Sequence, residues 1–434
     1  MRVLKLFLLL TFCFSYLSQA QKSKAIARVF YEGDWRYIDK KGNFLFTQPV
    51  VNVCFSEKLV VVRKDGKVGF TNFQGKLVIP YQYDNARCFQ GNFTSIIINS
   101  KMGIINRKGA FVVPPKYDLI GQFDEKGLAG IYHKGKIGFV DTTGKLVIPF
   151  RYEWYFSFGV VPRYPFFWNG LVAVVKKDSL GEPKIGFMNR KGRLVIPAKY
   201  DKTFMMPLFI DGKATVFENK KAILIDTLGS EIFRTSSMPG YNFGFSFYEG
   251  LSNIYGTNDK YGLINEQGQI ILKPTYSNIY PFKEGLAAVT FRDTSNAMVY
   301  SFINKNGKRA FERTFTYAKY FSEGLVAVES DNKWGYVDKV GKGVIPPKFE
   351  RANDFYEGLA IVAVKQDNQI KYGFIDKQGR FVIPAKYEEA DRFGLGLAPV
   401  KLNGKFGYIN RQGKMIIPPK FDNAEPFSVE NAGK

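Results

Sequence analysis

One short pattern recurs along the 434-residue chain and limits the folds that are open to it. Asp or Asn is followed three residues later by Gly, with apolar and aromatic runs on both sides. A period of a few tens of residues is typical of a tandem array whose units cannot bury their apolar faces alone. We number the eleven copies in chain order by this pattern: Asp39/Gly42, Asn72/Gly75, Asn106/Gly109, Asp141/Gly144, Asn189/Gly192, Asp226/Gly229, Asn265/Gly268, Asn304/Gly307, Asp338/Gly341, Asp376/Gly379 and Asn410/Gly413.

Each copy reads as a β-meander. Asp or Asn at the first position of a tight turn accepts hydrogen bonds from the backbone ahead, and Gly at the fourth position accepts a positive φ, so the pattern predicts a hairpin. A second hairpin joins segments such as Gly324–Val328 to the strand that begins at Trp334. The strand after the Asx turn is predicted to end at Val-Ile-Pro, as at Pro384, because proline cannot donate to a ladder.

The residues around Trp334 indicate how the copies pack. Trp334 and Tyr336 point to one face of their strand, and Gly335 and Val337 to the other. Since both faces are apolar or very small, neighbouring units should cover both, and Gly335 should let an adjacent sheet approach closely. The predicted fold is all-β: about eleven three-stranded antiparallel meanders in tandem, forming an open superhelical solenoid, with propeller-like closure as the alternative.

These residues resemble the WG-repeat family of bacterial exported and cell-envelope proteins. Its signature is Trp-Gly-aromatic-Ile/Val-Asp, then x-x-Gly-x-x-Val-Ile-Pro and a Glu-Gly-Leu-Ala segment. Trp334-Gly335 matches the naming dipeptide, whereas Trp35 is followed by Arg36, and the copies around Leu224 and Phe302 lack the Gly. The resemblance implies a β-rich repeat array whose members mostly lack an assigned activity.

The first twenty residues have the features of a secretory signal peptide. Arg2 and Lys5 precede a short apolar stretch, and Ser18-Gln19-Ala20 supplies small residues for cleavage before Gln21. We therefore expect export, to the periplasm, the cell surface or the medium, with no transmembrane segment in the mature chain. Three regions should follow the signal peptide at 1–20: regular repeats at 21–150, irregular repeats with an aromatic insertion at 151–255, and regular repeats at 256–434.

Two cysteines remain after the signal peptide, Cys54 and Cys88, each directly before a Phe at the same repeat position in adjacent copies. An oxidising compartment would favour a disulfide between them. The alternative is that both are small buried apolar side chains. The sequence leaves these two interpretations open.

An elongated copy carries the first candidate binding site. The spacing in sequence between Gly138 and Gly186 is longer than the usual repeat period. The additional residues are rich in aromatic side chains. Such a loop could form a stacking platform for sugar rings or for a partner's apolar side chains. Alternatively, it folds its aromatic residues back into the core. The candidate ligand-binding residues are Trp154, Tyr155, Phe156, Tyr164, Phe167 and Trp168.

Basic residues also repeat. Removing Arg2 and Lys5 leaves 60 basic against 39 acidic residues, a net charge of +21. A row of lysines just before the aromatic residue after proline could bind an anionic polymer. The other interpretation is a charged edge that prevents aggregation between sheet edges. The candidate basic row is Lys116, Lys199, Lys348, Lys386 and Lys420.

The sequence offers little catalytic chemistry. His133 is the only histidine, and there is no Cys-x-x-Cys, phosphate loop or dinucleotide fingerprint. We therefore predict no catalytic residues, no metal and no cofactor, and we expect no nucleic-acid partner. The leading hypothesis is an exported non-catalytic scaffold that mediates protein–protein interaction in or on the cell envelope. The alternatives are a binder of anionic or cell-surface polysaccharide, through the basic rows and the aromatic insertion, and a divergent hydrolase with its site in 150–250.

Overall fold

Every regular element in the described part of the chain is a β-strand. The structure, a computed structural model, describes residues 25–46, 50–54, 59–72, 75–154, 164–203, 206–234, 241–243, 247, 249–256 and 259–429. Within these ranges the strands form ten sheets, nine of three or four strands and one of seven, and every pairing is antiparallel.

The strands are numbered in chain order. The first part of the chain contains β1 (Ala25–Tyr31), β2 (Asp34–Ile38), β3 (Val50–Cys54), β4 (Leu59–Lys64), β5 (Lys67–Asn72), β6 (Leu77–Tyr83), β7 (Asn85–Ala86), β8 (Phe93–Ile98), β9 (Lys101–Asn106), β10 (Phe111–Tyr117), β11 (Leu119–Ile120), β12 (Leu128–His133), β13 (Lys136–Asp141) and β14 (Leu146–Trp154). The middle contains β15 (Leu171–Lys177), β16 (Pro183–Asn189), β17 (Leu194–Asp201), β18 (Lys213–Glu218), β19 (Lys221–Asp226), β20 (Glu231–Arg234), β21 (Tyr241–Phe243), β22 (Leu251–Gly256), β23 (Tyr261–Asn265), β24 (Ile270–Tyr276), β25 (Asn278–Ile279), β26 (Leu286–Arg292) and β27 (Met298–Asn304). The last part contains β28 (Tyr317–Ala318), β29 (Leu325–Ser330), β30 (Lys333–Asp338), β31 (Gly343–Phe349), β32 (Arg351–Ala352), β33 (Ala360–Gln366), β34 (Gln369–Ile375), β35 (Phe381–Tyr387), β36 (Glu389–Ala390), β37 (Leu397–Leu402), β38 (Lys405–Asn410), β39 (Met415–Phe421), β40 (Asn423–Ala424) and β41 (Ser428–Val429).

A typical copy contains four strands, which we call A, B, C and D. In copy ten these are β32, β33, β34 and β35, and they lie side by side in that order. Strand A is only two residues long, so the predicted three-stranded meander is confirmed as strands B, C and D with a short strand added. The hairpin between C and D turns at Asp376, whose Oδ1 accepts hydrogen bonds from the backbone of Gln378 and Arg380, both at 3.0 Å.

Strand D does not end at its proline, so that prediction is wrong. β35 continues from Phe381 through Pro384 to Tyr387. The register between β34 and β35 shifts on both sides of Phe374↔Ile383, which removes regular ladder bonds there. Strand D also lies at the edge of its sheet. A missing donor at an edge costs no hydrogen bond within the sheet, and therefore proline is tolerated inside the strand.

The core lies between copies. In copy nine, Tyr336 and Val337 are 1% and 2% exposed and point to opposite faces of their sheet. Tyr336 packs with Phe355 and Val362 of copy ten, whereas Val337 packs with Ala288 and other residues of copy eight. Both faces of the sheet are thus covered by its neighbours, as predicted.

The first and last copies pair with each other. β1 pairs with β40 at Val29↔Ala424 and Phe30↔Asn423, so β40 serves as strand A of copy one. β41 pairs with β1 as well. One core cluster contains Val29 from the start of the chain together with Tyr408 and Phe421 from its end. The all-β tandem array of antiparallel meanders is confirmed, and the contact between its ends is the one that the closed alternative requires.

Candidate functional site

The short strands A form one edge of successive sheets, which we call edge A. The residue just after each strand A is held by a backbone hydrogen bond to strand B: Lys319 to Ala327, Asn353 to Ile361 and Asp391 to Pro399. Equivalent residues of neighbouring copies meet, because Lys319 Nζ donates to Asn353 Oδ1 at 2.7 Å. In copies nine to eleven the fold therefore places one polar residue per copy in a row along this edge.

Two adjoining cavities open at edge A of copies nine to eleven, and together we call them the edge-A groove. The larger has a volume of about 310 Å³, and its polar lining includes Lys319, Asn353, Asp354, Asp391 and Arg392. The smaller has a volume of about 280 Å³, and Asn353 and Ile361 line both cavities. The groove is the best candidate for a ligand site in the described part of the chain.

The charges in the groove are perturbed by burial. Burial raises the pKa of Asp354, and the Lys319 ammonium offsets only part of this effect. Burial likewise lowers the pKa of Lys319, against the opposing effect of Asp354. No donor among the described residues lies within hydrogen-bond distance of the buried Asp354 Oδ1. Because an unmatched buried carboxylate oxygen is costly, a ligand that donates a hydrogen bond there would be favoured.

Aromatic side chains complete the groove. Tyr356 is 44% exposed, and the Arg392 guanidinium lies 5.2 Å from the centre of its ring. Below it, the larger cavity is lined by the buried Phe355, Phe374 and Phe393. These residues belong to the most regular copies, where the repeat pattern alone gives no signal of a site. The only signal in the sequence is that one repeat position carries Lys319, Asn353 and Asp391 in successive copies, which differ in charge.

The aromatic insertion predicted as a ligand site is partly folded back against edge A. Trp154 is 7% exposed and belongs to the core, and the partly buried Phe167 packs against that core, with its ring centre 4.4 Å from that of Phe139. Tyr164 lies over Gly121, where an added Cβ would be 2.5 Å from the tyrosine ring, and beneath Arg87 at 5.0 Å. Trp168 is 46% exposed. Tyr155 and Phe156 lie outside the described residues, and ligand binding by this set stays a prediction.

A missing residue explains why Trp154 is buried. Where copy three passes into copy four, Tyr117 and Ile120 are separated by Asp118 and Leu119, whereas between copies four and five only Glu153 separates Tyr152 from Trp154. β14 therefore runs without a bend into the next sheet, where Trp154 pairs with Val174 as Ile120 pairs with Ile131. This continuity produces the seven-stranded sheet, and the tryptophan takes the place of a buried small or aliphatic residue.

The candidate basic row lies on the outward face of strand D. All five lysines are exposed, and each ammonium lies 5.2–5.4 Å from the centre of the following aromatic ring. Lys420 also donates to the Gly42 carbonyl at 3.3 Å, and Lys348 lies 3.5 Å from that of Gly379. The lysines thus occupy equivalent positions beside the Asx turn of the next copy, and polymer binding by them stays a prediction.

Other charges join neighbouring copies, which the sequence did not reveal. The Glu323 carboxylate of copy nine accepts from the Gly358 amide at 3.0 and 3.1 Å and pairs with Lys377 of copy ten at 3.2 Å. Glu284 makes the same contacts one copy earlier. The Glu-Gly segment and the basic residue after the Asx residue are therefore parts of one junction. Equivalent ion pairs are Asp124–Arg190, Glu249–Lys305 and Glu357–Arg411.

A second junction lies at the opposite ends of the strands. Lys101 at the start of β9 pairs with Asp118 at 2.6 Å, and Asp118 also accepts from the backbone of Lys134 in the next copy, at 2.9 Å. The two partners are 17 residues apart, and this spacing recurs. It was visible in the sequence as Lys-x16-Asp/Glu, at Lys67/Asp84, Lys184/Asp201, Lys333/Glu350 and Lys405/Asp422.

The remaining predicted residues have the following positions. His133 contacts the rings of Tyr117, edge to face, and Phe150, at a tilt, and its Nδ1 lies 3.4 Å from Asp118. Cys88 is half-buried, but the side chain of Cys54 lies outside the described residues, so their disulfide stays a prediction. Across the described ranges, no three His, Cys, Asp or Glu residues are grouped to hold a metal ion. The same residues contain no helix able to span a membrane.

Comparison with known proteins gives one family. Nine segments match the sequence profile of the WG containing repeat and together cover about two thirds of the chain: 69–101, 102–136, 137–159, 185–221, 261–293, 300–334, 334–368, 372–406 and 406–432. No curated protein matches significantly.

Among solved structures, the chain is similar to a eukaryotic initiation factor, with 10% identity and a TM-score of 0.41 over 94% of this chain and 98% of the other. It is also similar to the Pyrococcus horikoshii acylaminoacyl peptidase, with 15% identity and a TM-score of 0.26 over 59% and 52%. Both TM-scores are low.

Proposed function

Because the chain belongs to the WG containing repeat family, we propose that it is an exported, non-catalytic scaffold that holds a protein partner in or on the cell envelope. The observation that carries this proposal is the outward face of strand D. In copy nine this face presents Val344, Pro346 and Lys348 in sequence, all exposed. Val382, Pro384 and Lys386 repeat the arrangement in copy ten.

The aliphatic residues on this face remain unburied in copy after copy. Val344, Val382 and Ile416 are 37%, 41% and 39% exposed. Rows of exposed apolar side chains are typical of protein–protein interfaces. Proline in the strands D of copies nine to eleven prevents another strand from adding to the edge, which favours side-chain recognition over sheet extension. Since a lysine follows on the same face, the partner should be acidic as well as apolar.

The proposal is tested by capture from a cell-envelope extract with the mature protein, residues 21–434. Serine at Val344, Val382 and Ile416 together should abolish capture, because the apolar contact is lost. Serine at Leu180, Leu228 and Val340, which are 85%, 82% and 71% exposed outside this face, should leave capture unchanged. If the two triple variants capture the same proteins equally, the D face is not the interface and the proposal fails.

The lysine row favours a second candidate, binding of an anionic polysaccharide. Its five members share one position and one orientation over an aromatic ring. Glutamate at Lys348, Lys386 and Lys420 should then abolish binding to an acidic polysaccharide column, and binding should fall steeply with salt. Capture of a protein that persists at high salt would instead support the scaffold.

A further inference from the structure

We propose that the edge-A groove of copies nine to eleven binds a neutral carbohydrate chain. This site lies on the opposite edge of the sheets from the D face, so it is independent of the protein interface proposed above. The two cavities adjoin at Asn353 and Ile361, which line both, and their volumes of about 310 and 280 Å³ suit consecutive sugar units.

The charge of the groove argues for a ligand without net charge. Its lining contains three cationic side chains, Lys319, Arg351 and Arg392, and three anionic ones, Asp354, Asp391 and Glu389. An anionic ligand would meet Asp354 and Asp391, and a cationic ligand would meet Lys319 and Arg392. Each would leave one set of like charges opposed in a partly desolvated site. A neutral ligand avoids this repulsion.

The hydrogen-bonding groups require a ligand that both donates and accepts. Asp354 Oδ1 is buried without a donor among the described residues. Lys319, by contrast, is a pure donor, and its ammonium already contacts Asn353 Oδ1. Hydroxyl groups can donate to the carboxylate and accept from the cations at the same time. A polyhydroxylated chain therefore satisfies the groove without introducing a new unmatched group.

The groove also contains one exposed and one half-buried tyrosine, which match the apolar faces of sugar rings. Tyr356 in the larger cavity is 44% exposed. Tyr372 in the smaller cavity is fixed by Arg351, whose Nη1 donates to the tyrosine oxygen at 2.9 Å. A peptide strand is a poorer occupant, because strands β32 and β36 at this edge are two residues long and offer little backbone for strand addition.

Edge A is covered elsewhere by the chain itself. Tyr164 of the insertion lies on Gly121, the position equivalent to Lys319, Asn353 and Asp391. Gly130 next to it also has no room for a Cβ, because the Pro165 carbonyl fills that space. An aromatic side chain thus occupies edge A in copy four, and the corresponding surface is open in copies nine to eleven.

The experiment is isothermal titration of the mature protein with neutral tetrasaccharides of glucose, xylose and N-acetylglucosamine, and with a sulfated oligosaccharide for comparison. We expect at least one neutral probe to bind with a Kd of about 1 mM or tighter. Asp354→Asn and Tyr356→Ala should each weaken binding about tenfold, equivalent to ~1.4 kcal/mol. High salt should have little effect on the neutral probe.

Two matched variants serve as controls. Asp367→Asn makes the same chemical change in the exposed turn between β33 and β34 of the same copy, and Tyr255→Ala removes a 40% exposed tyrosine from copy seven. Both should bind as the unaltered protein does, and thermal denaturation should confirm that all four variants are folded. Three outcomes would overturn the proposal: no neutral probe binds, only the sulfated probe binds, or the groove variants bind with the same affinity as the control variants.

Discussion

The glycine of the Trp-Gly dipeptide is required by the backbone of its own sheet. A Cβ added to Gly335 would lie 2.5 Å from the Ile345 carbonyl oxygen and 2.7 Å from the Pro347 nitrogen. These atoms belong to strand D, at the point where its register against strand C shifts. The expectation that an adjacent sheet approaches this glycine was therefore wrong, because the close neighbour is the next strand of the same sheet.

Gly335→Ala should consequently destabilise the protein by roughly 1–3 kcal/mol, the usual cost of forcing atoms into a filled space. Gly343→Ala in the same copy is the control, since its nearest neighbour is an arginine side-chain atom at 3.6 Å. Thermal denaturation should show a lower Tm for the first variant and an unchanged or higher Tm for the second. Equal Tm values would contradict this account of the dipeptide.

Asp354 should make stability depend on pH in an unusual direction. Burial raises its pKa above the ordinary 3.8, so folding favours the protonated form. The stability that this carboxyl contributes is fully present below its unfolded pKa and is lost as pH rises through the raised folded pKa. Asp354→Asn should therefore match the unaltered protein in acid and exceed it at neutral pH by about 1 kcal/mol. Tm measured across this pH range tests the prediction.

Asp376 should contribute to stability with the opposite pH dependence, and Asp376→Asn tests this. Burial acts to raise the pKa of Asp376, but hydrogen bonds from Arg380 and Gln378 outweigh it, so the pKa is lowered. Its contribution is present above the unfolded pKa and is lost as pH falls through the folded pKa. Asparagine at this position should be neutral or slightly destabilising at pH 7. A stabilising effect as large as that of Asp354→Asn would contradict the assigned environments.

At the scale of the strand, the missing glycines coincide with reduced D strands. Arg36, Ile223 and Ser301 take the glycine position in copies one, six and eight, opposite Val29, Val216 and Val289. Among the described residues, copies one and eight retain only isolated bridges in place of strand D, and copy six has the four-residue β20. A side chain at this position is thus accompanied by loss of the edge strand in copies one and eight and by a short edge strand in copy six.

Each Glu-Gly junction should stabilise the structure only near its own contacts. Glu323→Ala removes the acceptor of the Gly358 amide and the partner of Lys377, and we expect a loss of about 1 kcal/mol, mostly from the amide contact because exposed ion pairs contribute little. Hydrogen exchange of the Gly358 amide should accelerate. Glu312→Ala, which removes an 88% exposed partner of Arg309, should alter neither quantity at that amide. Unchanged exchange at Gly358 in the first variant would disprove the junction.

The sequence predicted the elements better than the site. Asp376 and Gly379 identify their turn because the chemistry of a tight turn involves only neighbouring residues. The junction of Glu323 with Lys377 depends on contact between copies, which periodicity does not locate. The groove around Asp354 was missed for the same reason, because it depends on where edge A is left uncovered by the rest of the chain. Conversely, the composition of the insertion predicted a ligand site, although Trp154 lies in the core and Phe167 packs against it.

At the scale of the whole molecule, a copy packs against the copy before it and the copy after it. The pairing of β1 with β40 brings the last copy against the first. Cysteines at Val29 and Ala424, which are directly paired, should form a disulfide in the folded protein. A second variant with cysteines at Val29 and Ala390 is the control, because Ala390 is the equivalent residue one copy earlier and pairs with Val400. Non-reducing electrophoresis should show a compact cross-linked monomer for the first pair alone; cross-linking of neither pair would indicate separated ends.

The pairing of β1 with β40 also determines when the protein can complete its folding. Lys420 and Gly42 are in contact although 378 residues separate them. The hairpin of β1 and β2 is therefore synthesised long before β40, and until β40 is made the other edge of β1, at Val29 and Phe30, lacks its partner. Contacts this distant in sequence slow folding and prolong the exposure of unpaired strands. A product that lacks β40 would leave this edge of β1 unpaired permanently.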